Sequence, residues 1–152
     1  SPALLSFELT ESAVMSDPER ALPVLRGLHG MGVRIAVDDF GTGYSSLAYL
    51  RCLPVHEVKI DKSFVLGLAS DLGDLAVVRA IVDLGHSLGL TVVAEGVEQD
   101  STRDQLVDMG CDVAQGFLIS RPLEADRFDA WLTTRTVSAP GVHDETVLTL
   151  VR

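Results

Sequence analysis

Short apolar runs alternate with longer amphipathic stretches along most of the chain. Leu4 to Leu9 is the first apolar run and reads as a strand. Asp17-Pro18 then opens a helix, because a Pro at the first helical position lacks only an N–H that would be unpaired there anyway. Leu22, Val24, Leu25 and Leu28 recur at helical spacing, and Gly30 and Gly32 end the helix. Val33 to Val37 is a second strand. Behind Gly41 to Gly43, Ser45 or Ser46 is placed to cap a short helix through Leu53, closed by Pro54. Glu57 to Ile60 is a third strand. A long helix covers roughly Leu75 to Leu88, with Val77, Ala80, Ile81, Leu84 and Leu88 along one face and Gly89 as its stop. Thr91 to Ala94 is a fourth strand, and Ser101 to Asp104 has the form of an acidic capping box opening a helix to Met109. Val113 to Ile119 is a fifth apolar segment, and a last helix runs from Ala125 to Thr133.

These strands are apolar throughout rather than alternating, which is the pattern of strands covered on both faces. Strand and helix alternate at about 30 residues per unit, which predicts an α/β fold with a parallel sheet or barrel. Residues 134–152 carry Ser, Pro, Gly and Thr without a period. They are expected to form a tail, disordered or with one added strand at Thr146 to Val151, after a domain over 1–133.

Composition narrows the function classes. The 152 residues fit one domain, and 47% apolar residues are enough for a core, so disorder is excluded as the main state. No apolar run approaches the ~20 residues of a membrane helix, and no signal peptide is expected. The chain begins at Ser1, and a native start upstream of it is expected. The net charge of −10 excludes nucleic-acid polymers held by a general basic field. An anionic ligand would need a local device, such as a metal ion or a placed Lys. Cys52 and Cys111 form no CxxC pair and are expected to be reduced, mostly buried thiols of a cytoplasmic protein.

The chemistry stands at the strand ends. The first strand ends in Glu8-Leu9-Thr10-Glu11, the second in Asp38-Asp39, the third in Lys59-Ile60-Asp61 and the fourth in Glu95-Gly96-Val97-Glu98; Gln115 lies in the fifth segment. Parallel α/β folds place active sites at the carboxyl ends of their strands. Carboxylates converging there repel one another, and the economical resolution is a hard divalent cation, Mg²⁺ or Mn²⁺, with oxygen ligands. Two such ions suit phosphodiester hydrolysis. Lys59 is one of two lysines and can hold a water or stabilise charge on phosphoryl oxygens. Lys62 reads as a solvated lysine. The Gly41-Thr42-Gly43 stretch is by itself an ordinary tight turn; behind a double Asp it becomes more telling. Asp17, Asp71, Asp100 and Asp126 read as helix caps, and Glu11 alone reads as a residue capping the turn after it. His29, His56, His86 and His143 read as structural or solvated, and Phe128 with Trp131 as packing.

Five segments then carry a resemblance. Glu8-Leu9-Thr10-Glu11-Ser12, Asp38-Asp39-Phe40-Gly41-Thr42-Gly43-Tyr44-Ser45-Ser46-Leu47, Val58-Lys59-Ile60-Asp61, Ala94-Glu95-Gly96-Val97-Glu98 and Ala114-Gln115-Gly116-Phe117 resemble the C-terminal half of EAL-type cyclic-di-GMP phosphodiesterases in order and spacing. The match runs from Leu4 to Leu123. The resemblance implies a partial TIM-like (β/α) barrel, about its last four strands and their helices. It implies Mg²⁺- or Mn²⁺-dependent hydrolysis of cyclic di-GMP to linear pGpG, with two ions in the complete domain. By the same resemblance Glu8, Asp38 and Asp39 match metal ligands, Glu95 a metal ligand or general base, and Lys59 the catalytic lysine. Asp61 and Gln115 match residues lining the site. Glu11 matches the acid that anchors the glycine loop with Gly41, Thr42 and Gly43, and Glu98 a supporting acid. In the family that loop couples metal binding to dimer contacts.

The family's Glu-Ala-Leu signature, an Asn ligand and a substrate-holding Arg lie upstream of Glu8, and this chain contains none of them. A TIM barrel takes about 250 residues. The chain is therefore expected to be the C-terminal portion of a phosphodiesterase, inactive or weakly active alone. The alternative is a truncated or degenerate domain acting as a binding or dimerisation module. Expected partners are cyclic di-GMP and either a second copy or a missing N-terminal barrel half.

Overall fold

The computed structural model describes residues 1–43 and 47–135. The expected cap at Ser45 or Ser46, His143 and the expected strand at Thr146 to Val151 lie outside the described residues. The chain divides into two compact units, Ser1–Ile119 and Ser120–Arg152.

The first unit is built on one parallel sheet. Its strands are β1 (Ser6–Thr10), β2 (Arg34–Phe40), β3 (Glu57–Ile60), β4 (Thr91–Ala94) and β5 (Val113–Ala114), and they lie side by side in that order. A doubly wound sheet reverses its strand order at a switch point. This order never reverses, and it is that of a partial TIM-like barrel. The expectation was about four strands; Val113 and Ala114 pair with Val93 and Ala94 and add a fifth. The apolar segment to Ile119 stays a strand for only those two residues, because the chain turns back at Gln115 to bond Val97.

The helices are α1 (Glu11–Ser16), α2 (Pro18–Gly30), α3 (Leu47–Leu50), α4 (Lys62–Gly67), α5 (Leu72–Ser87) and α6 (Asp100–Asp108). Thr10 caps α1 through the Ala13 N–H, Asp17 caps α2 through Arg20, Asp61 caps α4 through Ser63, and Asp71 caps α5 through Gly73 and Asp74. Helices α1 and α4 are not legible in the sequence pattern. At six residues each they are too short to show a 3.6-residue period.

Side-chain alternation sorts the sheet into two faces. Ile35 and Val37, Val58 and Ile60, and Val92 and Ala94 belong to the hydrophobic core with Val65 of α4 and Val78, Ile81 and Val82 of α5. The intervening residues Ala36, Lys59 and Val93 are also buried but point to the other face. Both faces are therefore covered, which accounts for strands without polar alternation.

Four expectations need correction. Val24 is exposed on α2, and Ala80 is exposed on α5, whose buried stripe is instead Val78, Ile81, Val82 and Gly85. The capping box does not form: α6 starts at Asp100, Gln99 makes no side-chain cap, and Arg103 draws in the Asp104 carboxylate at 2.8 Å. Cys52 is exposed, whereas Cys111 is half-buried, its thiol pushed up to about 11 by desolvation.

In the second unit, α7 (Ala125–Arg135) stacks Phe128 on Trp131 with ring centroids 5.8 Å apart. Among the described residues no helix is long and apolar enough to cross a membrane.

Candidate active site at the carboxyl ends of the strands

Glu8 on β1 pairs in register with Ala36, and Asp38 on β2 with Thr10. Lys59 on β3 pairs with Val93, and Glu95 follows β4, its N–H held by the Ile60 carbonyl at 3.2 Å. By alternation Glu8, Asp38, Lys59 and Glu95 all face away from the helix-packed core. They meet there. Lys59 Nζ lies 2.5 Å from Glu95 Oε1, 3.0 Å from Glu8 Oε1 and 3.6 Å from Asp38 Oδ1. Lys59 is 1% exposed, so its charge is tolerable only because three carboxylates surround it.

The electrostatics follow from that packing. Burial by itself lowers the Lys59 ammonium, but its hydrogen bonds to Glu95 and Glu8 and the charges of Glu95 and Asp38 hold it above its usual value. Glu95 is pushed above the usual carboxylate range by burial, with Asp38 and Glu8 adding to it; Lys59 opposes this only in part. A carboxyl raised in this way binds a proton more readily, which suits proton transfer.

A β-bulge brings Asp39 to the same rim. Between Val37↔Val58 and Phe40↔Ile60, β2 uses one residue more than β3. Asp39 takes the extra turn at φ +55, a left-handed conformation that Asp tolerates. Its N–H donates to Asp38 Oδ1 at 3.1 Å, and its carbonyl accepts from the Thr42 hydroxyl at 2.9 Å. The Asp39 carboxyl is raised by burial, then by the charges of Asp38 and Asp61. Asp61 itself is lowered: burial works against it, but the hydroxyl and N–H of Ser63 both donate to it. Ser63 is a site residue that the sequence reading missed. Its signal is the Asp-x-Ser spacing of an Asx turn.

Glu11 is buried, and its Oε2 accepts the Gly41 N–H at 3.2 Å. A Cβ at residue 43 would stand 2.9 Å from Glu11 Oε1, so glycine lets the loop close over the carboxylate. Gly41 has φ +100. Thr42 and Gly43 are exposed, and Tyr44 to Ser46 lie outside the described residues. Gln115 is fixed beside Glu95 by its backbone, donating to the Ala94 carbonyl at 2.8 Å and accepting from Val97 at 3.0 Å. Glu98 is exposed and, among the described residues, makes no hydrogen bond or ion pair with the clustered acids.

The described histidines stand elsewhere. His29 and His56 stack at 4.8 Å, and His86 pairs with Asp112 at 2.9 Å. Among the described residues no three His, Cys, Asp or Glu side chains converge as a metal site. Lys59 supplies a positive charge to the cluster.

The model of the EAL domain family matches residues 1–122. The chain belongs to the EAL domain family. It is 50% identical over 126 residues to the bifunctional diguanylate cyclase/cyclic di-GMP phosphodiesterase MucR of Pseudomonas aeruginosa, covering 83% of this chain and 18% of MucR. It is 42% identical over 135 residues to the cyclic di-GMP phosphodiesterase NbdA of the same organism, covering 83% and 17%. Among solved structures, the PaMucR phosphodiesterase in complex with c-di-GMP has a TM-score of 0.82 at 50% identity, over 84% of this chain and 51% of that one. The EAL domain of Mycobacterium smegmatis DcpA has a TM-score of 0.78 at 47% identity, over 85% and 58%. This EAL chain thus spans under a fifth of those curated relatives and about half of the solved EAL domains.

Proposed function

We propose that this chain is the carboxyl-terminal part of a phosphodiesterase domain that opens cyclic di-GMP to linear pGpG. The observation that carries the reading is the Lys59 cluster, where carboxylates from three strands meet one buried ammonium in a chain 50% identical to MucR. The complete activity would belong to a longer protein, with the remaining ligands and the substrate-holding arginine on barrel strands outside this chain. Such an assembly would act in the cytoplasm.

The metal question turns on the donor set. Glu8, Asp38, Asp39 and Glu95 offer hard carboxylate oxygens, which suit Mg²⁺ or Mn²⁺. Three of them meet at Lys59, and among the described residues they do not close into a metal site, so they would form part of a ligand set completed from elsewhere. A related EAL structure, that of Klebsiella pneumoniae BlrP1, is a manganese/cy-diGMP complex with a TM-score of 0.74 at 36% identity, over 79% of this chain and 31% of that one. A bound divalent ion would supply Lewis acidity toward the phosphate oxygens.

The chain's own residues do the rest in this reading. Glu95, raised by burial, takes a proton from the attacking water, and Lys59 orients that water and offsets charge on the phosphoryl oxygens. Asp61 and Gln115 line the rim. Glu11 fixes the Gly41 to Gly43 turn, which would transmit metal binding to a dimer contact. Glu98, exposed, would support the loop after β4.

The test is turnover of cyclic di-GMP with Mn²⁺ by a longer protein carrying this segment. Glu95→Gln is expected to lower kcat by about 100-fold or more. Unchanged turnover in that variant overturns the reading.

A further inference from the structure

We propose that Lys59 is a built-in cation that holds Glu8, Asp38 and Glu95 together while the site is free of divalent metal. The strands deliver these carboxylates to one face whether or not a metal is present, because alternation and register fix where they point. Like charges brought that close must be neutralised or protonated. Lys59 Nζ is within 3.0 Å of two of them and 3.6 Å of the third. Its position is imposed from both sides, since Val58 and Ile60 lock β3 into the core and leave Lys59 to the opposite face.

The oxygens turned to Nζ are those of Glu8, Asp38 and Glu95, the same hard carboxylate donors that a divalent ion would take. An ammonium and a divalent ion would use the same oxygen lone pairs. Metal loading is therefore an exchange, in which carboxylates leave Lys59 and the ammonium is released to face the reacting phosphate. Lys59 is in this sense a positioning residue for the metal-free domain, a role separate from contact with substrate.

Thermal unfolding of the full chain in EDTA tests this without reference to turnover. Lys59→Met keeps the length of the stem and removes the charge. It is expected to lower Tm by about 10 °C, because it leaves buried carboxylates without their partner. Lys59→Met combined with Glu95→Gln removes one charge from each side and is expected to recover at least half of that loss. A wild-type Tm in Lys59→Met overturns the proposal, and so does a loss that Glu95→Gln leaves unrepaired. If Lys59→Met does not fold, a folded double variant supports the proposal and an unfolded one overturns it.

A Mn²⁺ titration forms a separate arm, and only this arm rests on the metal-dependent reading of the site. Where Mn²⁺ raises the wild-type Tm, it is expected to raise that of Lys59→Met further, since the competing ammonium is gone. An equal or smaller rise overturns the exchange. No response to Mn²⁺ in any variant counts against the metal reading, and the EDTA comparison still decides the role of Lys59.

Discussion

His56 accepts the Ile35 N–H at Nδ1 over 3.1 Å and stacks on His29. An acceptor nitrogen carries no proton, so the hydrogen bond requires the neutral ring. Burial lowers the His56 pKa below its usual 6.5, and the charges of His29 and Arg34 lower it further. The folded state therefore binds a proton at His56 less readily than the unfolded chain does. The stability this confers is fully present above pH 6.5 and is lost as pH falls through the depressed folded value. Chemical denaturation between pH 7.5 and about 5 should show that decline. His56→Gln should flatten it, and an unchanged slope in that variant would assign the decline to another group.

Two glycines at the scale of single helices should respond oppositely to alanine. Gly85 lies where α5 crosses the sheet, and a Cβ there would stand 2.4 Å from Val92 Cγ2 and 3.4 Å from Val58 Cγ1. Valine is stiff at χ1 and cannot swing aside. Gly85→Ala is expected to destabilise the fold by about 1–3 kcal/mol. Gly27 lies inside α2 with nothing within 4 Å of its added Cβ. Gly27→Ala is expected to stabilise by about 0.5–1 kcal/mol, because alanine loses less backbone entropy in a helix. Urea midpoints at constant m measure both, and a shift of the same sign in the two variants would contradict this packing of α5.

Across the molecule, parallel strands in unbroken order give one rim that gathers every carboxyl end, and the acids of the sequence lie there because of it. The rim is only as complete as the set of strands that builds it. The chain covers 51% of the PaMucR phosphodiesterase chain, and among the described residues the acids do not close into a metal site. Alone it is therefore expected to hydrolyse cyclic di-GMP at least about 100-fold more slowly than a longer protein that carries this segment. Chromatography of the pGpG formed under equal Mn²⁺ compares the two. Matching rates would mean that these five strands suffice.

The order of strands and helices was legible in the sequence because buried parallel strands are uniformly apolar. Glu57 to Ile60 and Thr91 to Ala94 were readable to the residue. The residues that meet at Lys59 stand in the sequence as polar groups stopping apolar runs. Helices α1 and α4 were not legible, being too short for a period, nor was the Ser63 contact with Asp61. What only the tertiary structure decided was how the acids meet. A one-residue bulge turns Asp39 onto the rim beside Asp38. The register of β1, β2 and β3 sets Glu8 and Asp38 against Lys59. Residue types depend on local pattern, which a sequence carries in full. The distance between charges on different strands depends on register, which arises only when the strands pair.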